Sequence, residues 1–241
     1  MAMTLRENAI AILEDRRPDF VGDFMNALAM VPDPGLLDMP QPNGEEYTDR
    51  WGTKWLWKPG APGPHPHVND KNAVIKDITE WDKYLQVPSV EGLDWSLAKA
   101  EAEKVDRKNQ FLGIMMPGGL FERSHHLMGM QNALISYLEE PEAMKDMLTA
   151  VKDWKVAYIK EAHRQLDLDA IFYHDDWGSK QNLFLPPDVW REIIKPLQME
   201  IAETMHDLGI FYIHHADCIC QPIVKDMVDL GVQLWQGTSS S

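Results

Sequence analysis

The sequence predicts a parallel α/β fold, either a doubly wound sheet or a (β/α)8 barrel. Three observations carry that expectation. Short runs of β-branched and aromatic residues alternate with helical segments, which forces parallel strands joined by crossovers. One such unit is complete: a strand at 169–173, a helix starting at Pro186-Pro187 and stopping at Gly209, and a strand at 210–213. Both strands end in polar clusters, His174-Asp175-Asp176-Trp177-Gly178 and His214-His215-Ala216-Asp217-Cys218, at the strand ends where such folds bind ligands.

Taken in order, residues 4–15 read as a helix capped by Thr4, with Glu7 three positions on. Phe20 to Met25 is the expected first strand, broken by Gly22-Asp23. From Pro32 to Gly63 the chain is rich in Pro, Gly and Trp, and only Trp51 to Trp57 alternates well enough for a hairpin arm. His65-Pro66-His67, flanked by prolines and without a third ligand nearby, reads as a loop. Asp77 to Leu85 and Trp95 to Val105 follow as helices. Phe111 to Met116 is a strand, followed by Pro117-Gly118-Gly119 and the polar stretch Phe121 to His126. Gln131 to Leu138 and Pro141 to Gln165 are helices. In the second, Met144, Met147, Leu148, Val151, Trp154 and Tyr158 recur at helical spacing and mark a core-facing stripe. After the central unit, Ile223 to Leu230 forms a helix stopped by Gly231, and Val232 to Trp235 a strand ending in Gln236-Gly237.

Five strands do not close a barrel, and the sequence stops at Thr238–Ser241, right after a strand. The expectation is one domain over residues 1–241, cut short relative to its fold. Strand 232–235 would then lie at an open edge or pair with another chain, a homodimer being one way to cover it.

Hydrophobic residues at 44% and charged residues at 25% mark a globular chain. No apolar run is long enough to span a bilayer, and the start lacks a signal-peptide pattern. Only two cysteines occur, two positions apart, which favours a reduced cytoplasmic setting over a disulfide scaffold. With 38 acidic against 23 basic residues the formal charge is -15, which argues against nucleic acid and anionic membranes as partners. A protein partner with a basic face stays compatible.

His174, Asp175 and Asp176 are the catalytic candidates. Consecutive residues at a strand end point to opposite sides, so one aspartate faces the site while the other caps a turn or holds a backbone amide. His214, His215, Asp217, Cys218 and Cys220 combine the three side-chain types that bind zinc, and a catalytic zinc takes three such ligands plus one open position. The same alternation lets only one of His214 and His215 face the site. Cys218-Ile219-Cys220 has one intervening residue, not the two of the usual zinc knuckle, so His215 with Asp217 or Cys218 is the better ligand pair. Met116, Glu122, Gln181 and Gln236 are candidate substrate contacts, Glu122 standing beside Arg123 after the glycine-rich turn.

With these residues in view, the chain resembles the uroporphyrinogen decarboxylase superfamily, which includes the cobalamin-dependent methyltransferases. The resemblance rests on Asp49-Arg50-Trp51-Gly52, Gly119-Leu120-Phe121-Glu122-Arg123, Asp175-Asp176-Trp177-Gly178, Pro187 through Pro196, and Gly209 to Gly231 with its histidine. It implies a (β/α)8 TIM barrel, incomplete here at its C-terminal side, with the site at the strand carboxyl ends. True decarboxylases resemble one another in an Arg-Gln-Ala-Gly-Arg stretch that holds substrate carboxylates, and the region after Phe20-Val21-Gly22-Asp23-Phe24 has no such element. The methyltransferase branch carries His-x-Cys after a barrel strand and a later Cys, together binding zinc. The match places His215 on that histidine and Asp217 on its cysteine, a harder ligand than thiolate.

The resemblance implies zinc at His215 and Asp217, with the family's later ligand expected beyond Ser241 and Cys218 of the same loop as the further candidate metal ligand. It also implies a corrinoid carried by a partner protein and a small molecule as methyl donor or acceptor. The expected function is methyl transfer between a small methoxylated or methylated compound and that corrinoid protein. A porphyrinogen decarboxylase and a non-catalytic binding module are the alternatives.

Overall fold

The computed structural model describes residues 2–22 and 24–237. Helix α1 (Leu5–Leu13) opens the chain. Its capping box is formed: Thr4 Oγ1 accepts from the Glu7 amide at 3.1 Å, and Glu7 Oε2 from the Thr4 amide at 2.9 Å.

The strand expected at 20–25 is not found there. Asp23 lies outside the described residues, Phe24–Ala27 form a 3-10 turn, and strand β1 (Leu28–Met30) comes just after. Phe24 is spent on packing instead, its ring 5.3 Å from that of Phe111 and 6.4 Å from that of Phe211.

The arm is a three-stranded antiparallel sheet of β2 (Glu46–Thr48), β3 (Lys54–Leu56) and β4 (His65–Pro66), beginning earlier than the tryptophan spacing suggests. Asp49 makes the β2–β3 turn, its Oδ1 accepting from the amides of Trp51 (2.9 Å) and Thr53 (2.8 Å). Helices α2 (Trp81–Tyr84) and α3 (Ser96–Ala102) follow near their expected places, and strand β5 (Phe111–Met116) falls on its expected bounds.

Helix α4 (Leu120–Met128) is a departure, because the polar stretch at 121–126 gives no helical stripe. The helix is buried nearly all round: Glu122, Arg123, Ser124 and His126 are inside with the apolar residues. Helices α5 (Met130–Glu139) and α6 (Pro141–Leu166) come next, then strand β6 (Ala170–His174). The long helix after Pro186 is continuous but has three parts, α7 (Pro187–Val189), a π-turn at Trp190–Ile194 and α8 (Lys195–Asp207). Pro196 has no N–H to give the carbonyl four residues back, and the wider turn just before it absorbs the missing bond. Strand β7 (Phe211–His215), helix α9 (Val224–Asp229) and strand β8 (Leu234–Gln236) complete the described chain, and Thr238–Ser241 lie outside it. No described helix is long and apolar enough to cross a membrane.

The five long-range strands form one parallel sheet in the order β1-β5-β6-β7-β8. A doubly wound sheet reverses its order at a switch point. Here the order follows the chain without reversal, the progression of a barrel wall. Among the described residues the arc has five strands, and its edges β1 and β8 do not pair with each other.

The register sorts side chains onto two faces. Leu112, Ile114, Met116, Ile171, Tyr173 and Tyr212 pack against the helices in the main core. Leu28, Phe111, Ala170, Phe172 and Ile213 form a second cluster on the inner face. Its row Met115–Phe172–Ile213–Leu234 leads one step further to His174, His215 and Gln236.

Candidate active site

Strands β6 and β7 pair His174 with His215, so both imidazoles leave the sheet on its inner face at the carboxyl end. The rings stack with centroids 4.5 Å apart and planes 22° apart. Asp176 follows just past the end of β6. His174, Asp176 and His215 each offer one ligand atom, and these atoms lie within 4.8 Å of one another. All three are half-buried.

Each histidine is fixed through Nδ1. His174 Nδ1 donates to Glu122 Oε2 at 2.8 Å, and His215 Nδ1 donates to Gln236 Oε1. Both Nε2 atoms are left for a ligand. Burial by itself would push His174 down, but the hydrogen bond and charge of Glu122 outweigh it and lift His174 to about 9. Burial would raise Glu122, and the bond and charge of His174 hold it below its ordinary value. Burial and the Glu122 charge raise Asp176. Asp176 Oδ1 also accepts from the Asp217 amide at 2.7 Å, tying the two strand-end loops together.

Asp175, between two site residues, is fully buried and faces α4. Its Oδ1 accepts from the Glu122 amide at 2.9 Å, and its Oδ2 from the Phe121 amide at 3.2 Å and Trp177 Nε1 at 2.8 Å. These amides are the unpaired donors of the helix start, where negative charge also suits the dipole. Burial and then the Glu122 charge push Asp175 up to about 7. Gly119 permits the approach: a Cβ there would stand 2.1 Å from the Asp175 Cβ. Of the two aspartates that sequence alone leaves open, Asp176 meets the site and Asp175 holds the helix.

The other expected site residues scatter. Gln236 and Glu122 join the site through the histidines they orient. Asp217 stands at its border, its Oδ2 3.9 Å from His215 Nε2, with a mostly exposed side chain. Cys218 is turned away into the helix-side core, its Sγ 3.4 Å from Cys220 Sγ. The Cys218 hydrogen bond and burial push the Cys220 thiol far up, so it stays protonated and is a poor ligand. Of the ligands expected from sequence, His215, Asp217 and Cys218, only His215 is in the group His174–Asp176–His215 whose atoms could hold a metal ion together. Gln181 is exposed in a turn, its amide bonded to Ser179 Oγ at 3.1 Å. Met116 ends β5 at the same rim but on the helix-covered face, opposite Tyr173.

His214 is fully buried against Trp177, ring centroids 4.0 Å apart, and burial drives it down to about 3. Residue type alone hides the pairing of His174 with His215. One signal for it is present: both strands end in His-x-Asp, His174-Asp175-Asp176 and His215-Ala216-Asp217.

The donor set fits a divalent transition metal. Two imidazole nitrogens and a carboxylate oxygen suit zinc or iron(II). A carboxylate or amide oxygen on the far ring nitrogen is the outer support that metal-binding histidines carry.

Comparison with known proteins gives one family. The model described as Uroporphyrinogen decarboxylase (URO-D) matches residues 66–238, more than half of the 241-residue chain. No curated protein gives a significant match.

Proposed function

The chain belongs to the uroporphyrinogen decarboxylase family, and within it we propose a methyltransferase that moves a methyl group between a small methoxylated or methylated compound and a corrinoid carried by a partner protein. The observation that carries this reading is the His174–Asp176–His215 group with both imidazoles held at Nδ1. Zinc is the metal proposed for it. When bound, zinc would supply Lewis acidity to the heteroatom that gives up or takes the methyl group.

The residues of the chain prepare that chemistry. His174 and His215 present Nε2, and Asp176 a carboxylate oxygen. Glu122 and Gln236 fix the ring planes, so little reorganisation accompanies ligand binding. Asp217, open to water and 3.9 Å from His215 Nε2, is placed to exchange a proton with a departing oxygen or an incoming thiol.

The nearby buried cations support this choice over porphyrinogen decarboxylation. Arg123 is turned to Asp49, and Lys155 lies over the Tyr173 ring on the helix-covered face. A substrate with many carboxylates would find acids and imidazoles at the inner rim, a poor match.

The test is methylcobalamin formation from cob(I)alamin and a panel of methoxylated aromatics and methylated amines, with metal content measured in parallel. His174→Ala and His215→Ala are expected to lose bound metal and at least 100-fold in rate. Carbon dioxide release from uroporphyrinogen that survives both variants would overturn the reading.

A further inference from the structure

A groove runs between α1, the segment at 20–26 and the edge strand β8. It holds about 420 Å3, within the ~300–1,000 Å3 of small-molecule pockets. Strand alternation places one end of it. Leu234 packs with the apolar cluster on the inner face, and Gln236, two residues on, leaves the same face. Both line the groove. Gln236 is also the residue whose Oε1 takes His215 Nδ1, so the groove and the metal group share a wall.

The lining has one chemical character. Ten of its fourteen residues are apolar, and none of the described lining residues is charged, in a chain of formal charge -15. Asn8 does not break the pattern, because its amide is consumed within the wall. Its Oδ1 accepts from the Asp19 and Phe20 amides at 2.9 and 3.2 Å, and its Nδ2 donates to the Phe20 carbonyl at 3.0 Å. That clamp ties the turn after α1 back onto the helix and leaves Phe20 41% exposed. Leu5 and Ile12, seven residues apart on one helical face, are 39% and 45% exposed. Apolar side chains gathered in water around a concave surface mark a binding site. A charged ligand would lose hydration here and meet no opposite charge. Phe20, Phe24 and Trp235 supply aromatic surface, which suits a flat ring.

We propose that this groove binds the methyl donor, and that the donor is an uncharged aromatic methyl ether. Its ring lies between α1 and Leu234, with the ether oxygen toward Gln236 and His215. In the transfer the methyl C–O bond breaks and the methyl group goes to cob(I)alamin, whose electron pair forms the new bond. The phenolate left behind takes a proton. That the ligand is the donor rests on the methyl-transfer reading; that it is uncharged and apolar rests on the groove alone.

Saturation-transfer NMR titrations on the full chain at pH 7.5 compare anisole with two charged rings, 4-methoxybenzoate and phenyltrimethylammonium. Anisole is expected to bind at least tenfold tighter than either. Ile12→Lys and Leu5→Lys each put one positive charge at an exposed wall position, and melting temperature checks their fold. Both should weaken anisole at least fivefold and strengthen 4-methoxybenzoate. No binding of anisole, a charged ring bound as tightly, or unchanged affinities in both folded variants would overturn the proposal. Methylcobalamin formation from the same compounds separates it from the reading it rests on. Anisole that binds the groove while no compound yields methylcobalamin keeps the site and sinks methyl transfer. Methylcobalamin formed faster from 4-methoxybenzoate than from anisole keeps methyl transfer and sinks the uncharged donor.

Discussion

Glu122 on α4 and His174 at the end of β6 stand 52 residues apart in sequence and meet through a 2.8 Å bond between Oε2 and Nδ1. The bond sets which nitrogen of His174 is free, so a helix that contributes no direct ligand still decides how the site is presented. Glu122→Gln keeps the shape but gives up the carboxylate charge. Zinc affinity, measured by chelator competition, is expected to fall 10–100-fold, the usual cost of losing such an outer partner. Unchanged affinity would remove Glu122 from the site.

His215→Ala and His214→Ala separate site from core. His215→Ala is expected to lose metal with little change in melting temperature. His214 is wholly buried, stacks on Trp177 and takes the Tyr212 hydroxyl at 3.0 Å from Nδ1. Its removal should cost about 3 kcal/mol of stability, the range of large-to-small core changes, while metal content per folded chain stays constant. Loss of metal in His214→Ala alone would reverse the assignment.

Asp175→Ala should be among the most destabilising single changes in the site region. It strips acceptors from two helix-start amides and the Trp177 indole at once. The expected loss is about 2–4 kcal/mol, or roughly 5–15 °C in melting temperature for a chain of this size. Asp175→Asn, which retains one acceptor oxygen, should lose less. Equal melting temperatures for wild type and Asp175→Ala would show that α4 is not held this way.

Asp33 makes stability depend on pH. Its carboxyl titrates at about 6 in the fold against an ordinary 3.8, because burial outweighs its hydrogen bonds. Folding therefore favours the neutral form. The contribution is fully present below pH 3.8 and is lost as pH rises through about 6. Relative to Asp33→Asn, the wild type should gain about 1 kcal/mol between pH 7 and pH 5. Denaturant melts of both proteins at the two pH values measure it, and a parallel response would show that Asp33 does not titrate in this window.

Much of the fold is legible because its central strands β5 and β6 are buried on both faces and its longest helix is striped. The runs Phe111–Met116 and Ala170–Tyr173 are continuous and apolar, and the α6 stripe from Met144 to Tyr158 has one reading. Helix α4 is not legible. Its polar residues are inside because distant partners satisfy them: Glu122 by His174, Arg123 by Asp49. Periodicity assigns such residues to the surface. The first strand is three residues long, too short to outweigh the aromatic pair at Phe20 and Phe24.

At the site, strand alternation says that one of His214 and His215, and one of Asp175 and Asp176, faces the rim without saying which. The resemblance singles out His215, and the register supplies the rest. Cys218 is not legible, because residue type suggested a ligand where the chain beyond β7 had already turned into the helix layer. The His174–His215 pairing depends on register, which lies in the sheet and in neither strand alone.

Three neighbouring residues serve three different structures. His174 leaves the inner face, Asp175 grips α4 among the helices, and Asp176 reaches the rim. At the middle position chemistry has some slack, since an asparagine also caps a helix. Spacing has none. One residue inserted after Tyr173 would swing the cap toward the mouth and drive a histidine into the helix layer, exchanging two jobs in one step. The turn at Gly60 and Gly63, where an added side chain would meet nothing within 4 Å, can lengthen freely. Insertions and deletions, more than substitutions, therefore set the limit on how this stretch can drift while the protein still works.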